Sequence, residues 1–125
     1  MSISALQQQF ESHVDELRKL QQSYSKLVDS RTQFETQLNE NKLVQEELRL
    51  VDSEGSVYKL VGPALVKQDL PEAKSHVDKR IGFITTELDR LDKAMKEYDE
   101  KMNTLRGTVM KLQNQLMQQQ ASAKA

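Results

Sequence analysis

The sequence predicts a mainly α fold: a long antiparallel two-helix coiled coil joined by one central β-hairpin. Three observations predict it. The first fifty residues hold no Gly and no Pro, so nothing there breaks a helix. An unbroken series of twelve apolar residues runs through the C-terminal half. Between the two lies a short run rich in β-branched and aromatic residues, split by a Gly-Pro dipeptide, which is hairpin chemistry.

The first helix is expected over about residues 3–51. With Ile3 as heptad position a, the a series is Ile3, Phe10, Leu17, Tyr24, Arg31, Leu38 and Gln45. The d series is Leu6, His13, Leu20, Leu27, Phe34, Asn41 and Leu48. Ten of these fourteen are apolar, and seven such heptads read as a coiled coil. Asp52-Ser53-Glu54-Gly55 is a turn cluster that ends the helix.

The hairpin is expected over about residues 56–67. Its first strand carries Val57 and Val61 on one face and Tyr58 and Leu60 on the other. Gly62-Pro63 is the turn, and Ala64, Leu65 and Val66 form the return strand. Strands apolar on both faces are usually buried on both sides. Asp69 and Pro71 suit a helix entry. The second helix is expected over about residues 71–119, with a frayed tail over 120–125. Its series is Val77, Ile81, Ile84, Leu88, Leu91, Met95, Tyr98, Met102, Leu105, Val109, Leu112 and Leu116. A strict seven-residue repeat imposes a left-handed supercoil. Residues 1–125 read as a single domain.

Composition agrees. Apolar residues are 37% and aromatics 5% of the 125, against 30% charged. That leaves little to fill a compact core and favours long helices. The net charge is −1. Residues 1–50 hold six basic and eight acidic side chains, 51–71 two and three, and 72–125 ten and eight. No segment is basic enough to hold nucleic acid by its phosphates. Cysteine is absent, which excludes disulfides and thiolate metal sites and fits a reducing compartment. No segment approaches the ~18 consecutive apolar residues of a membrane span. Met1 to Gln9 has neither a basic n-region nor an apolar h-region. A soluble, cytoplasmic chain with no membrane partner is expected.

The two arms, of about 48 residues each, would each span roughly 70 Å. A hairpin between them makes them antiparallel. One register pairs Leu6 with Leu116, Leu17 with Leu105, Tyr24 with Tyr98, Leu27 with Met95, Phe34 with Leu88 and Leu38 with Ile84. Each of these pairs is centred on residue 61, at the expected β-turn. Registers one heptad away also align the layers, but they leave one arm overhanging. Four layers are polar: His13 against Val109, Arg31 against Leu91, Asn41 against Ile81 and Gln45 against Val77. Such residues either fix register at some cost in stability or, as for Arg31, snorkel to water.

A lone two-stranded hairpin is marginal in water, and its free edges invite another strand. Val57, Tyr58, Leu60, Val61, Gly62, Pro63, Leu65 and Val66 are therefore candidate assembly residues, in a chain that works as a subunit. The opposite end, where both termini meet, carries Ile3, Leu6, Phe10 and Val14 on one arm. The other arm brings Val109, Met110, Leu112, Leu116 and Met117. Val14, Met110 and Met117 fall outside the a and d series and add apolar surface beside the seam. Met suits an irregular ligand, being flexible and polarizable. The same residues could instead simply finish the coiled coil. No catalytic constellation stands out. His13 and His76 lie on different arms, no Gly-rich phosphate loop is present, and Glu46-Glu47 and Asp99-Glu100 read as solvated helix faces. Neither an enzyme nor a metal site nor a cofactor is expected.

The order helix, Val57-Tyr58-Lys59-Leu60-Val61-Gly62-Pro63, Leu65-Val66-Lys67, helix resembles the β-class prefoldin subunits. The hairpin motif is the specific part of the resemblance; the heptads alone are not. The resemblance implies a hexamer of two α-class and four β-class subunits, so that this chain would join two α-class and three further β-class partners. It implies hairpins joined in a common base and coiled coils whose tips hold unfolded proteins, notably nascent actin and tubulin. Clients would pass to the cytosolic group II chaperonin without ATP. The competing reading is a structural or tethering coiled coil with no chaperone role. A parallel rod, however, has no use for Gly55, Gly62-Pro63 or a register centred on residue 61.

Overall fold

The computed structural model describes residues 2–124. Four elements follow in order: α1 (Ile3–Arg49), β1 (Val57–Val61), β2 (Ala64–Gln68) and α2 (Leu70–Lys124). The fold class is the one expected, two long helices about a central antiparallel hairpin. The chain divides into two compact units, each built from a stretch of both helices. One, the terminal unit, is Met1–Asp29 with Asp92–Ala125; the other, the hairpin unit, is Ser30–Leu91.

Helix α1 opens on Ser2. Its hydroxyl accepts a hydrogen bond from Ala5 N at 3.1 Å, and its carbonyl accepts one from Leu6 N at 3.0 Å. Ser is a strong N-cap because it satisfies donors that the first turn leaves open. The helix ends at Arg49, two residues before the expected boundary. Leu50 N then bonds Glu47 O at 3.1 Å and Val51 N bonds Leu48 O at 3.3 Å, which tightens the exit. The Asp52–Gly55 turn follows, closed by Gly55 N to Asp52 O at 2.8 Å. A Cβ on Gly55 would lie 2.6 Å from Val51 Cγ1, so the chain passes too closely there for a side chain.

The hairpin pairs Val57 with Gln68, Tyr58 with Lys67, Lys59 with Val66, Leu60 with Leu65 and Val61 with Ala64. Its loop is therefore two residues, Gly62-Pro63. Gly62 has φ +59°, and Pro is fixed near φ −65°. That combination matches a type II′ turn, whose twist suits a hairpin. Helix α2 starts at Leu70, where Ala73 N bonds Asp69 O at 2.9 Å. Pro71 in the first turn gives up an N–H that would have had no partner in the helix anyway.

At the other end, the helix does not fray at residue 120 as expected. It continues through Lys124, and residue 125 lies outside the described residues. Gln118–Gln120, Ala121 and Ala123 are good helix formers, and no Gly or Pro stops them.

Within the hairpin unit, Leu48, Ala73 and Val77 form a buried core, with Val57, Leu70 and Ile81 packed against it. This cluster ties the first strand to both helices. Farther along, the Phe34 and Phe83 rings meet. Partners of rising number on α1 thus meet partners of falling number on α2, as antiparallel helices must. In the terminal unit Leu6, Met102, Leu105 and Leu112 are buried. Leu6 borders Gln115, Gln118 and Gln119. Leu20 and Leu105 floor a shallow groove edged by Glu16, Glu97, Glu100 and Lys101. Both neighbourhoods are those of the register centred on residue 61.

All twelve residues of the α2 series are buried or half-buried, as are thirteen of the fourteen α1 positions. The exception is Gln45. It is exposed and donates from Nε2 to Asp78 Oδ1 at 2.8 Å, instead of facing Val77 across the seam. The layer nearest the hairpin is closed by Ala73, which the heptad series passes over. Its small side chain lets the first turn of α2 approach Leu48.

Candidate binding surfaces

Other polar seam positions find partners on their own helix. Arg31 Nη1 donates to Glu35 Oε2 at 2.9 Å, one turn on, so its head does snorkel while its stem stays in the seam. Asn41 Nδ2 donates to Gln37 O at 2.7 Å. His13 differs. Its Nδ1 is buried without a hydrogen bond, the nearest carboxylate oxygen being Glu16 Oε2 at 3.6 Å. Glu87 Oε2 accepts from both Nε and Nη2 of Arg90, at 3.1 and 2.8 Å. That hydrogen bond, with the attraction of the carboxylate, raises the already basic guanidinium further.

The hairpin is the most exposed apolar element. Tyr58, Leu60, Val61, Leu65 and Val66 are all at least half exposed. Val57 alone packs against the helical core. Alternation along a strand puts Tyr58, Leu60 and Leu65 on one face and Val61 and Val66 on the other. Both faces are therefore apolar and open. Gly62 and Pro63 hold the tip of the hairpin and contribute shape rather than contact.

In the terminal unit the nine candidate tip residues fall into three groups. Leu6 and Leu112 are buried in the seam. Ile3, Phe10, Val14, Val109 and Leu116 are half-buried. Met110 and Met117, at 64% and 60% exposure, stand one heptad apart on the outer surface of α2. These two are open to a ligand without any rearrangement.

Sequence reasoning missed four exposed apolar residues of the hairpin unit: Leu43 and Val44 on α1, Leu50 just past its end, and Phe83 on α2. A signal was available for the first three, since they interrupt two otherwise polar heptad positions. Val44 joins Val57, Tyr58, His76 and Arg80 in lining a cleft of about 150 Å³ between hairpin and helices. Among the described residues there is no group of three or more His, Cys, Asp or Glu that could hold a metal ion. No helix among them is long and apolar enough to cross a membrane.

Two long helices joined by one exposed two-stranded hairpin define a class of protein, the coiled coil with a central hairpin. Comparison with known proteins supplies the family. The Prefoldin subunit family model matches residues 3–119, and this chain belongs to that family. It is 45% identical to Prefoldin subunit 6 of Arabidopsis thaliana over 96% of this chain and 93% of the relative. It is 37% identical to Prefoldin subunit 6 of Homo sapiens over 94% and 91%. Among solved structures, the prefoldin beta subunit from Thermococcus strain KS-1 has the same fold, with a TM-score of 0.77 at 23% identity over 82% of this chain and 90% of that one. The stretch from Val57 to Lys67, with Lys79-Arg80 after it, resembles the eukaryotic prefoldin subunit 6, the protein to which these relatives also point. Prefoldin subunits are chaperones that assemble with one another, and this chain is a prefoldin chaperone subunit.

Proposed function

We propose that this chain is an ATP-independent holdase subunit of a heterohexameric prefoldin. Its hairpin enters the common base, and its helix ends hold an unfolded client. The reading places it in the cytoplasm, beside two α-class and three further β-class subunits. Its clients are unfolded chains such as nascent actin and tubulin, which pass to the group II chaperonin. No nucleotide and no bond-making step is involved.

The single observation that carries the assembly half is the hairpin. Two strands of five residues each leave five large apolar side chains at least half exposed. Neighbouring strands would bury those faces and complete the unpaired edges. The client half rests on the ends of the helices. Met110 and Met117 offer flexible, polarizable side chains on an outer face. The Gln residues beside them, Gln118 to Gln120, keep that surface soluble without fixing a charge. Release needs no energy source if each contact is weak and clients bind through several subunits at once.

The test is capture of denatured actin by the reconstituted complex, followed by light scattering. Wild-type complex should suppress aggregation. A complex carrying Met110→Gln and Met117→Gln should assemble normally and suppress it several-fold less well. Equal suppression by the two would remove these residues from the client surface, and no suppression by either would contradict the holdase reading.

A further inference from the structure

The outer face of α1 changes character as it nears the hairpin. At heptad position f the residues are Gln8, Asp15, Gln22, Asp29 and Thr36, all polar. The next is Leu43, at 66% exposure, and Leu50, the first residue past the helix, is 72% exposed. The adjoining g position repeats the pattern: Gln9, Glu16, Ser23, Ser30 and Gln37 lead to Val44, which is 42% exposed. Position f points away from the partner helix, so packing within the chain does not account for leucine there. The change is confined to the last two turns. There Val44 shares its cleft with Val57 and Tyr58 of the hairpin, so the helix patch runs directly into the exposed apolar strands.

We infer that this patch is a second part of the assembly interface, and that its occupant is the apolar hairpin of a neighbouring prefoldin subunit. The inference rests on the proposal that the hairpin of this chain is an assembly element. A neighbouring hairpin that joins this sheet carries side chains on both faces, and only one of those faces can pack within the sheet base. The other needs an apolar wall, and Leu43, Val44 and Leu50 supply one. The flanking Lys42, Glu46, Glu47 and Arg49 carry both signs and give the patch a polar rim, as protein interfaces commonly have. An occupant on the unfolded-client side would have left the patch on the terminal unit, whose f and g positions on α1 are polar throughout.

The experiment is competition for entry into the complex. Tagged Leu43→Ser/Leu50→Ser chain and untagged wild-type chain are co-expressed with the other subunits, and hexamers are quantified by native mass spectrometry. The variant should remain as helical as wild type by circular dichroism, because both side chains are exposed. It should enter the hexamer about ten-fold less often. A photoactivatable phenylalanine analogue replacing Leu43 or Leu50 should crosslink to the hairpin peptide of a neighbouring subunit, and the same probe replacing Asp15 or Asp29 should not. Wild-type entry with no such crosslink overturns the inference, as do crosslinks from Leu43 to a bound client or to a second copy of this chain. A Leu60→Asp/Leu65→Asp variant separates the two readings. If it is excluded while the Leu43/Leu50 variant enters freely, only the helix patch fails. If it too enters freely, the hairpin reading itself fails.

Discussion

The rings of Phe34 and Phe83 meet edge to face, with centroids 6.4 Å apart and planes at 67°. Phe34 is a half-buried seam residue, whereas Phe83 lies outside the seam and is 61% exposed. The pair links α1 to α2 within the hairpin unit. Phe83→Ala should cost about 0.5–1.5 kcal/mol, the worth of an aromatic pair. Phe34→Ala should cost more, about 2 kcal/mol, since a fully buried Phe costs ~3–5. Thermal unfolding of both variants and the double mutant checks this. Strict additivity would show that the ring contact carries no energy.

His13 occupies a seam position and leaves Nδ1 buried without a hydrogen bond. An unsatisfied buried polar atom costs about 1–3 kcal/mol. His13→Leu removes that atom and extends the apolar seam of the terminal unit. The expected result is a gain of about 1 kcal/mol, read as a higher Tm. A lower Tm would mean that the imidazole finds a partner, such as Glu16, that repays its burial.

The four glycines divide by geometry. A Cβ on Gly82 or Gly107 meets nothing within 4 Å. Alanine at either should stabilise its helix by about 1 kcal/mol. At Gly62 the φ of +59° disfavours any Cβ, and at Gly55 the new atom collides with Val51. Alanine there should destabilise by about 1–2 kcal/mol. Gly107 has a second readout, because it lies in the unit that carries the proposed client surface. If it softens the helix for clients of varied size, Gly107→Ala captures large clients less well. Unchanged capture would make it a tolerated surface glycine.

Most of this was legible in the sequence, and the exceptions have physical reasons. The α2 series was readable because all twelve residues are apolar at unbroken spacing. Gln45 departed from its layer because a polar side chain near the helix end can reach Asp78 instead of a hydrophobic seam. Ala73 was passed over because alanine is a weak apolar signal, although it is nearly the most buried residue of the hairpin unit. The hairpin was visible from Gly62-Pro63 and its flanking strands. Met110 and Met117 stood out as apolar residues off the seam. Leu43, Val44 and Leu50 were hidden by the same periodicity. A reading that follows the seam assigns everything else to solvent.

Exposed apolar strands make a prediction for the chain in isolation. Purified alone it should self-associate, as judged by sedimentation velocity at micromolar concentration. Leu60→Asp/Leu65→Asp should shift it toward a monodisperse species with unchanged helix content. A wild-type chain that sediments as a stable monomer would show that the hairpin needs no covering.

Native mass spectrometry of the complex that tagged chain draws from its own cell extract tests the central claim most directly. The account predicts one discrete heterohexamer of similar-sized coiled-coil subunits, with this chain at a single copy. Recovery as a homodimer, or with one large unrelated partner, would contradict the hexamer and favour a tethering coiled coil.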